Sequence, residues 1–246
     1  LVRSIDTTGT RRPGHGEAAR YRVLSQKYAN STPAPLPGSP IRDIEGIRGV
    51  RDISGLASHL LRLPPSRGPV RLVGVDGHAG SGKTTFAERL AGELGGAPVL
   101  HLDDIATHEE LFAWTGRLLD QVVAPLRRGE TARFAPYDWI ARAFGPVREL
   151  PPAPVVLLEG VGAGRRELRP HLARLLWMEL PREEAWSRGR RRDGEAQDEF
   201  WGEWVSAERR HFVEDPSRPF ADLLVRQCFE GYELLPGPAV TLTAGP

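Results

Sequence analysis

Gly77-His78-Ala79-Gly80-Ser81-Gly82-Lys83-Thr84 is the stretch that decides how this chain folds. It reads G-x-x-x-x-G-K-T, the glycine-rich phosphate-binding P-loop. Arginine occurs 31 times and lysine only twice, at Lys27 and Lys83. A chain this biased toward arginine still places lysine here. A slim ammonium on a flexible stem can reach between two phosphate groups, whereas a planar guanidinium is too wide for the loop. Residues 77–85, Thr85 included, are therefore expected to hold the phosphates of a nucleoside triphosphate. The His78 side chain is expected to point away from them. The Thr84 hydroxyl is placed to bind magnesium.

The flanking segments fit that loop. Residues 70–76, VRLVGVD, form a short apolar run with β-branched residues, as in a buried parallel strand. After the loop, Phe86, Leu90 and Leu94 recur every four residues and mark one face of a helix, which Gly95-Gly96 stops. In a strand–loop–helix unit the helix N-terminus adds partial positive charge where the phosphates lie.

Further along, strands are expected at residues 98–102, 154–158, 175–180 and 221–225, with a short edge strand at 240–242. Helices are expected at 51–63, from Leu111 to Leu126, and over about 182–213. Strands alternating with helices predict an α/β fold: a doubly wound, mostly parallel five-stranded sheet with helices on both faces, the P-loop NTPase architecture. Ligands of such sheets bind at the carboxyl ends of the strands. Residues 1–48 differ from the rest. The Pro-rich run 32–40 forms neither a helix nor a central strand, so this segment reads as an extended or disordered N-terminal arm, with 49–246 as the folded domain.

Composition narrows the function. No apolar run is long enough for a membrane span, and the N-terminus lacks the apolar segment of a signal peptide. Cys228 is the single cysteine, which excludes an internal disulfide and a Cys-based zinc site, and the histidines lack metal-ligand spacing. A cytoplasmic setting is expected. Residues 1–69 hold 11 basic and 5 acidic residues (+6), the remainder 22 and 27 (−5). The acidic globular part makes nucleic acid an unlikely partner. A guanine-selective GTPase would need N-K-x-D, and the only asparagine is Asn30. The L-S-G-G-Q segment of transporter ATPases is absent.

Acidic residues cluster at strand ends. Asp103 and Asp104 follow the second strand, where a carboxylate beside the P-loop can accept a proton from an attacking hydroxyl; capping of the next helix is the alternative. Glu159 ends the third strand and can hold the water shell of magnesium, or pair with an arginine. Arg188 and Arg192 share a helix face and could close over a triphosphate, or simply face solvent. Tyr137, Asp138 and Trp139, with Arg142 nearby, suit a flat polar molecule. The aromatic residues 186, 200, 201, 204 and 212 fall at helical spacing and read as packing residues.

Together, Asp76-Gly77, Ser81 to Thr85, His101 to Asp104, Pro136 to Trp139, Leu158 to Gly160, Arg192-Asp193 and Ala221 to Leu223 resemble the uridine kinase and phosphoribulokinase-like branch of P-loop kinases, actinobacterial members included. The resemblance spans about residues 70–225. It implies an ATP- and magnesium-dependent kinase with Asp103 as base, Glu159 on the magnesium side, Arg188 and Arg192 as lid arginines, and Tyr137 and Asp138 at the acceptor. Where that family has a His and an Arg after the tyrosine segment, this chain has Arg142 and Phe144; its aromatic pair after the base is replaced by Ile105-Ala106. Two other readings stay open: a nucleotide-binding regulatory module without turnover, and a kinase acting on nucleic-acid ends.

Overall fold

A computed structural model describes residues 53–66, 68–229 and 231–239. The expected arm at 1–48 and the edge strand at 240–242 lie outside these residues.

The strands are β1 (Arg71–Asp76), β2 (Val99–His101), β3 (Ala132–Phe134), β4 (Tyr137–Asp138), β5 (Ala143–Phe144), β6 (Arg148–Leu150), β7 (Val155–Glu159), β8 (Leu172–Met178), β9 (Leu223–Cys228) and β10 (Gly231–Pro236). Six of them form the main sheet in the order β10-β9-β8-β1-β7-β2. All neighbours are parallel except β10, which folds back antiparallel on β9. The sheet thus has one strand more than the five expected. The extra one is hairpin-linked, needing no crossover helix, so strand–helix alternation does not reveal it.

Alternation along the strands builds two cores. Leu72, Val156 and Leu158 pack on one face with Leu118, Val122 and Leu126. Val73, Val75, Val155 and Leu157 turn to the other, against Leu56 and Leu60 of α1 (Ile53–Arg62) and Phe86 and Leu90 of α2 (Lys83–Glu93). The period of two in a strand dictates this split.

The helix expected from Leu111, α3 (Thr115–Arg127), begins later and is not uniform. It runs as α-helix over Thr115–Leu118, widens to a π-turn at Leu119–Val123 and returns to α-helix at Ala124–Arg127. Apolar spacing alone does not register such a turn. The helices expected over 182–213 are two, α4 (Arg182–Asp193) and α5 (Asp198–Glu214). Gly194, at φ 80°, ends the first. The two helices then pack closely, since a Cβ on Gly189 would stand 2.3 Å from the Trp201 ring.

Two small antiparallel ribbons, β3–β6 and β4–β5, fill the segment between β2 and β7. Two- and three-residue strands are too short to leave an alternation signal in sequence.

Candidate active site

Register brings the acidic residues together. Val75 pairs with Glu159 and Glu159 with His101 across three adjacent parallel strands. The P-loop after β1, Glu159 at the end of β7 and Asp103 just past β2 therefore share one edge of the sheet.

The loop starts from a buried anchor. Asp76, wholly enclosed, accepts hydrogen bonds from the N–H groups of Gly77 (2.7 Å), Gly162 (2.9 Å) and Gly164 (2.8 Å). Burial pushes its carboxyl above the usual Asp range even though these bonds pull it down. The loop's outer surface lies against α4. At Gly80 (φ 83°) a Cβ would fall 2.0 Å from the Ala185 carbonyl oxygen, so only glycine permits this approach. Lys83 is buried and its ammonium donates to the His78 carbonyl at 3.0 Å. His78 itself turns outward from the loop, as expected, to pair through Nδ1 with Glu208 of α5 at 2.7 Å.

Thr84 Oγ1 donates to Glu159 Oε2 at 3.3 Å. The same carboxylate oxygen meets His101 Nδ1 at 2.7 Å. That partner, more than the opposing burial, raises the His101 pKa. Among the described residues no group of three or more His, Cys, Asp and Glu side chains could hold a metal by itself. One hydroxyl and one carboxylate, both oxygen donors, fit magnesium that takes its other ligands from phosphate and water.

Asp103 and Asp104 part company. Asp103 lines a cavity of about 490 Å³ together with Ala79 of the P-loop, Arg192 and Asp193 of α4, Phe200, Trp201 and Trp204 of α5, and His108, Trp139 and Ile140. Asp104 lies outside that lining, 3.6 Å from Arg148. Asp103 is solvent-exposed where it lines the cavity. Desolvation by the surrounding protein first, and the Glu159 charge second, push its carboxyl above the usual Asp range, with Lys83 and His101 opposing.

The arginines straddle the loop. Arg192 forks onto its neighbour Asp193 (2.6 Å) beside the cavity. Arg188 reaches Gln227 Oε1 at 3.3 Å in a second cleft, of about 770 Å³, with Ser81 at its edge.

The expected acceptor residues divide. The buried Tyr137 gives its hydroxyl to a 3.0 Å hydrogen bond with His108 Nδ1, and so supports the cavity from behind rather than lining it. Asp138 Oδ1 accepts the N–H groups of Ile140 (2.9 Å) and Ala141 (2.8 Å), shaping the turn between β4 and β5. Arg142 occupies the left-handed region there (φ 53°) and lies 3.9 Å from Glu109. Trp139 does face the cavity, and its indole N–H holds the Asp103 carbonyl at 3.0 Å. Helical spacing gave Phe200, Trp201 and Trp204 packing roles, and the structure adds the cavity wall to them. His108 had no sequence signal beyond its residue type.

No protein-family model matches the sequence, and no curated protein is similar to it. Solved structures are similar. A possible uridine kinase from Bacillus stearothermophilus superposes with a TM-score of 0.53 at 20% identity, covering 70% of this chain and 96% of that one. A protein described as a fructose transport system kinase, from a Silicibacter species, gives 0.46 at 20% identity over 68% of this chain and 90% of its own. At such identity the first likeness is one of fold: a mostly parallel α/β sheet with the glycine-rich loop after β1.

Proposed function

We propose that this chain is an ATP- and magnesium-dependent phosphotransferase that moves the γ-phosphoryl group to a hydroxyl of a small molecule, with a uridine- or cytidine-type nucleoside as the first acceptor class to try. One observation carries the reading: the P-loop and Asp103 border the same aromatic-walled cavity, large enough for a flat, polar molecule.

Each residue has a task in that reaction. Within residues 77–85 the N–H groups not already engaged, as those of Gly77, Ala79 and Ser81 are, and the Lys83 ammonium hold the triphosphate. Thr84 and Glu159 would hold magnesium, which neutralises phosphate charge when bound. The acceptor oxygen forms a bond to the γ-phosphorus while the bond to the bridging oxygen of the departing ADP breaks. Asp103 takes the acceptor's proton, for which a raised pKa is suited. Arg188 and Arg192 reduce the charge on the group in flight. Tyr137, through His108, and Asp138, through the turn that carries Ile140, support the cavity wall, while Asp104 and Arg142 lie outside its lining. No described helix is long and apolar enough to cross a membrane. A cytoplasmic location, where ATP is plentiful, goes with the proposal.

The test is a screen of nucleosides, sugars and vitamin precursors with labelled ATP. Acceptor-dependent ADP release is expected, and Lys83→Ala should lower it about 10²–10³-fold. ATP binding with no acceptor-dependent turnover across the screen would favour a regulatory module instead. Phosphorylation of oligonucleotides alone would move the acceptor to nucleic-acid ends.

A further inference from the structure

Glu208 has no part in the reaction just described, yet it is the most completely engaged carboxylate beside the loop. It is wholly enclosed, within α5, at the end of no strand and far in sequence from any motif. Its Oε1 accepts from His78 Nδ1 at 2.7 Å and from the Trp186 indole N–H at 3.0 Å. Its Oε2 accepts from the Trp204 indole N–H at 2.8 Å and from the Ala79 backbone N–H at 3.2 Å. Four donors thus converge from the P-loop, α4 and α5. Burying a charge is costly unless every lone pair finds a donor, and here both oxygens are used twice. Burial alone would raise the Glu208 pKa. The His78 hydrogen bond, the Lys83 and His78 charges and the Ala79 N–H outweigh it and bring the group below its usual range.

These bonds bear on the phosphate site in two ways. Ala79 N–H is committed to Glu208 and so points behind the loop. The His78 ring is fixed by Glu208 while its carbonyl oxygen receives the Lys83 ammonium. The placement of the phosphate-binding lysine therefore depends on a carboxylate three elements away. Trp204 lines the acceptor cavity, and Trp186 belongs to the helix that bears Arg188 and Arg192.

We propose that Glu208 is a positioning residue of the nucleotide site: from α5 it sets the His78–Ala79 segment of the P-loop, and with it Lys83, and joins that loop to the helices that cover the acceptor cavity. The proposal rests on the reading above that the loop takes a triphosphate.

Magnesium-ATP binding, followed by calorimetry at a temperature where every protein is folded by circular dichroism, tests it without needing the acceptor. Glu208→Gln keeps an acceptor oxygen but turns N–H groups toward donors. It is expected to bind ATP about tenfold more weakly than the wild type, as is His78→Ala. Because both variants break the His78–Glu208 contact, the double variant should be little weaker than Glu208→Gln alone, not a hundredfold weaker than the wild type. A mere loss of stability would lower the melting temperature without this non-additive pattern in binding. Wild-type affinity in Glu208→Gln, or fully multiplicative effects in the double variant, overturns the proposal. If Glu208→Gln does not fold, His78→Ala and Trp204→Phe carry the test: weaker ATP binding in both is expected, and unchanged binding in both overturns it. Failure of the folded wild type to bind ATP would sink the phosphotransferase reading, and this inference with it. Normal wild-type binding with an unaffected Glu208→Gln sinks the inference alone.

Discussion

The two sides of the P-loop are built on opposite plans. The phosphate side is local: nine consecutive residues, two strand ends and one lysine. The acceptor side is assembled from rings that lie far apart in sequence, His108 and Trp139 before β7, Phe200 and Trp204 on α5. Phosphate is recognised by backbone N–H groups and charge, which a short glycine-rich segment can supply whatever the rest of the chain does. A flat acceptor must be enclosed by side chains, which only tertiary packing can bring together. Chemistry should therefore fail when the first side is altered, and acceptor choice should change when the second is.

The sharpest probe of that division is Asp103, which sits on the boundary. Asp103→Asn is expected to lower kcat by roughly 10²–10⁴-fold with every acceptor while leaving ATP affinity near that of the wild type. Single-turnover kinetics with the acceptor found by screening would show it. An unchanged rate would mean that the proton leaves by another path.

Next in size is an effect of acid on α5, the helix that carries part of the cavity wall. His211 of α5 is buried, stacked on Phe112 at 4.6 Å, and its Nδ1 faces the Arg165 guanidinium at 3.4 Å. Burial first and the Arg165 charge second lower its pKa from 6.5 to about 4. The unfolded chain thus takes up a proton between these values that the folded chain refuses. Stability is complete above the unfolded pKa of 6.5 and falls as pH drops toward 4, by about 3 kcal/mol from this group. His211→Gln should flatten the pH dependence of the melting temperature over that window. Equal slopes in variant and wild type would refute the assignment.

The smallest effect tests the wall's independence. Phe200→Ala removes one ring from the cavity and should raise the acceptor KM about tenfold, with ATP KM unchanged. An equal rise in both would show that the two sides are not separable at this position.

The same division explains what could be read from the sequence. The G-x-x-x-x-G-K-T run, the β-branched strands and the acidic residues at their ends are local patterns: the run joins β1 to α2, Asp103 lines the cavity and Glu159 lies beside Thr84. The spacing of Arg188 and Arg192 sets them on one helix face, and the structure has them bordering two different clefts. Glu208 left no such trace. It is one acid in a charged helix, and its importance comes from two indoles and a loop histidine that meet only after folding. The Asp138 carboxylate shows the converse. A motif set it beside the acceptor, but its neighbours' N–H groups engage it in a turn. Strand β10 escaped because a hairpin return lacks the helical spacer that marks a parallel strand.

Scarcity of lysine has one practical consequence. Lys27 lies outside the described residues, and Lys83 is enclosed with its ammonium tied to a backbone carbonyl. Between residues 53 and 239 a lysine-selective acylating reagent has a single target, and that target is the side chain proposed to hold phosphate. The extent of labelling on one peptide, read by mass, then reports directly how tightly the loop is shut, with and without nucleotide.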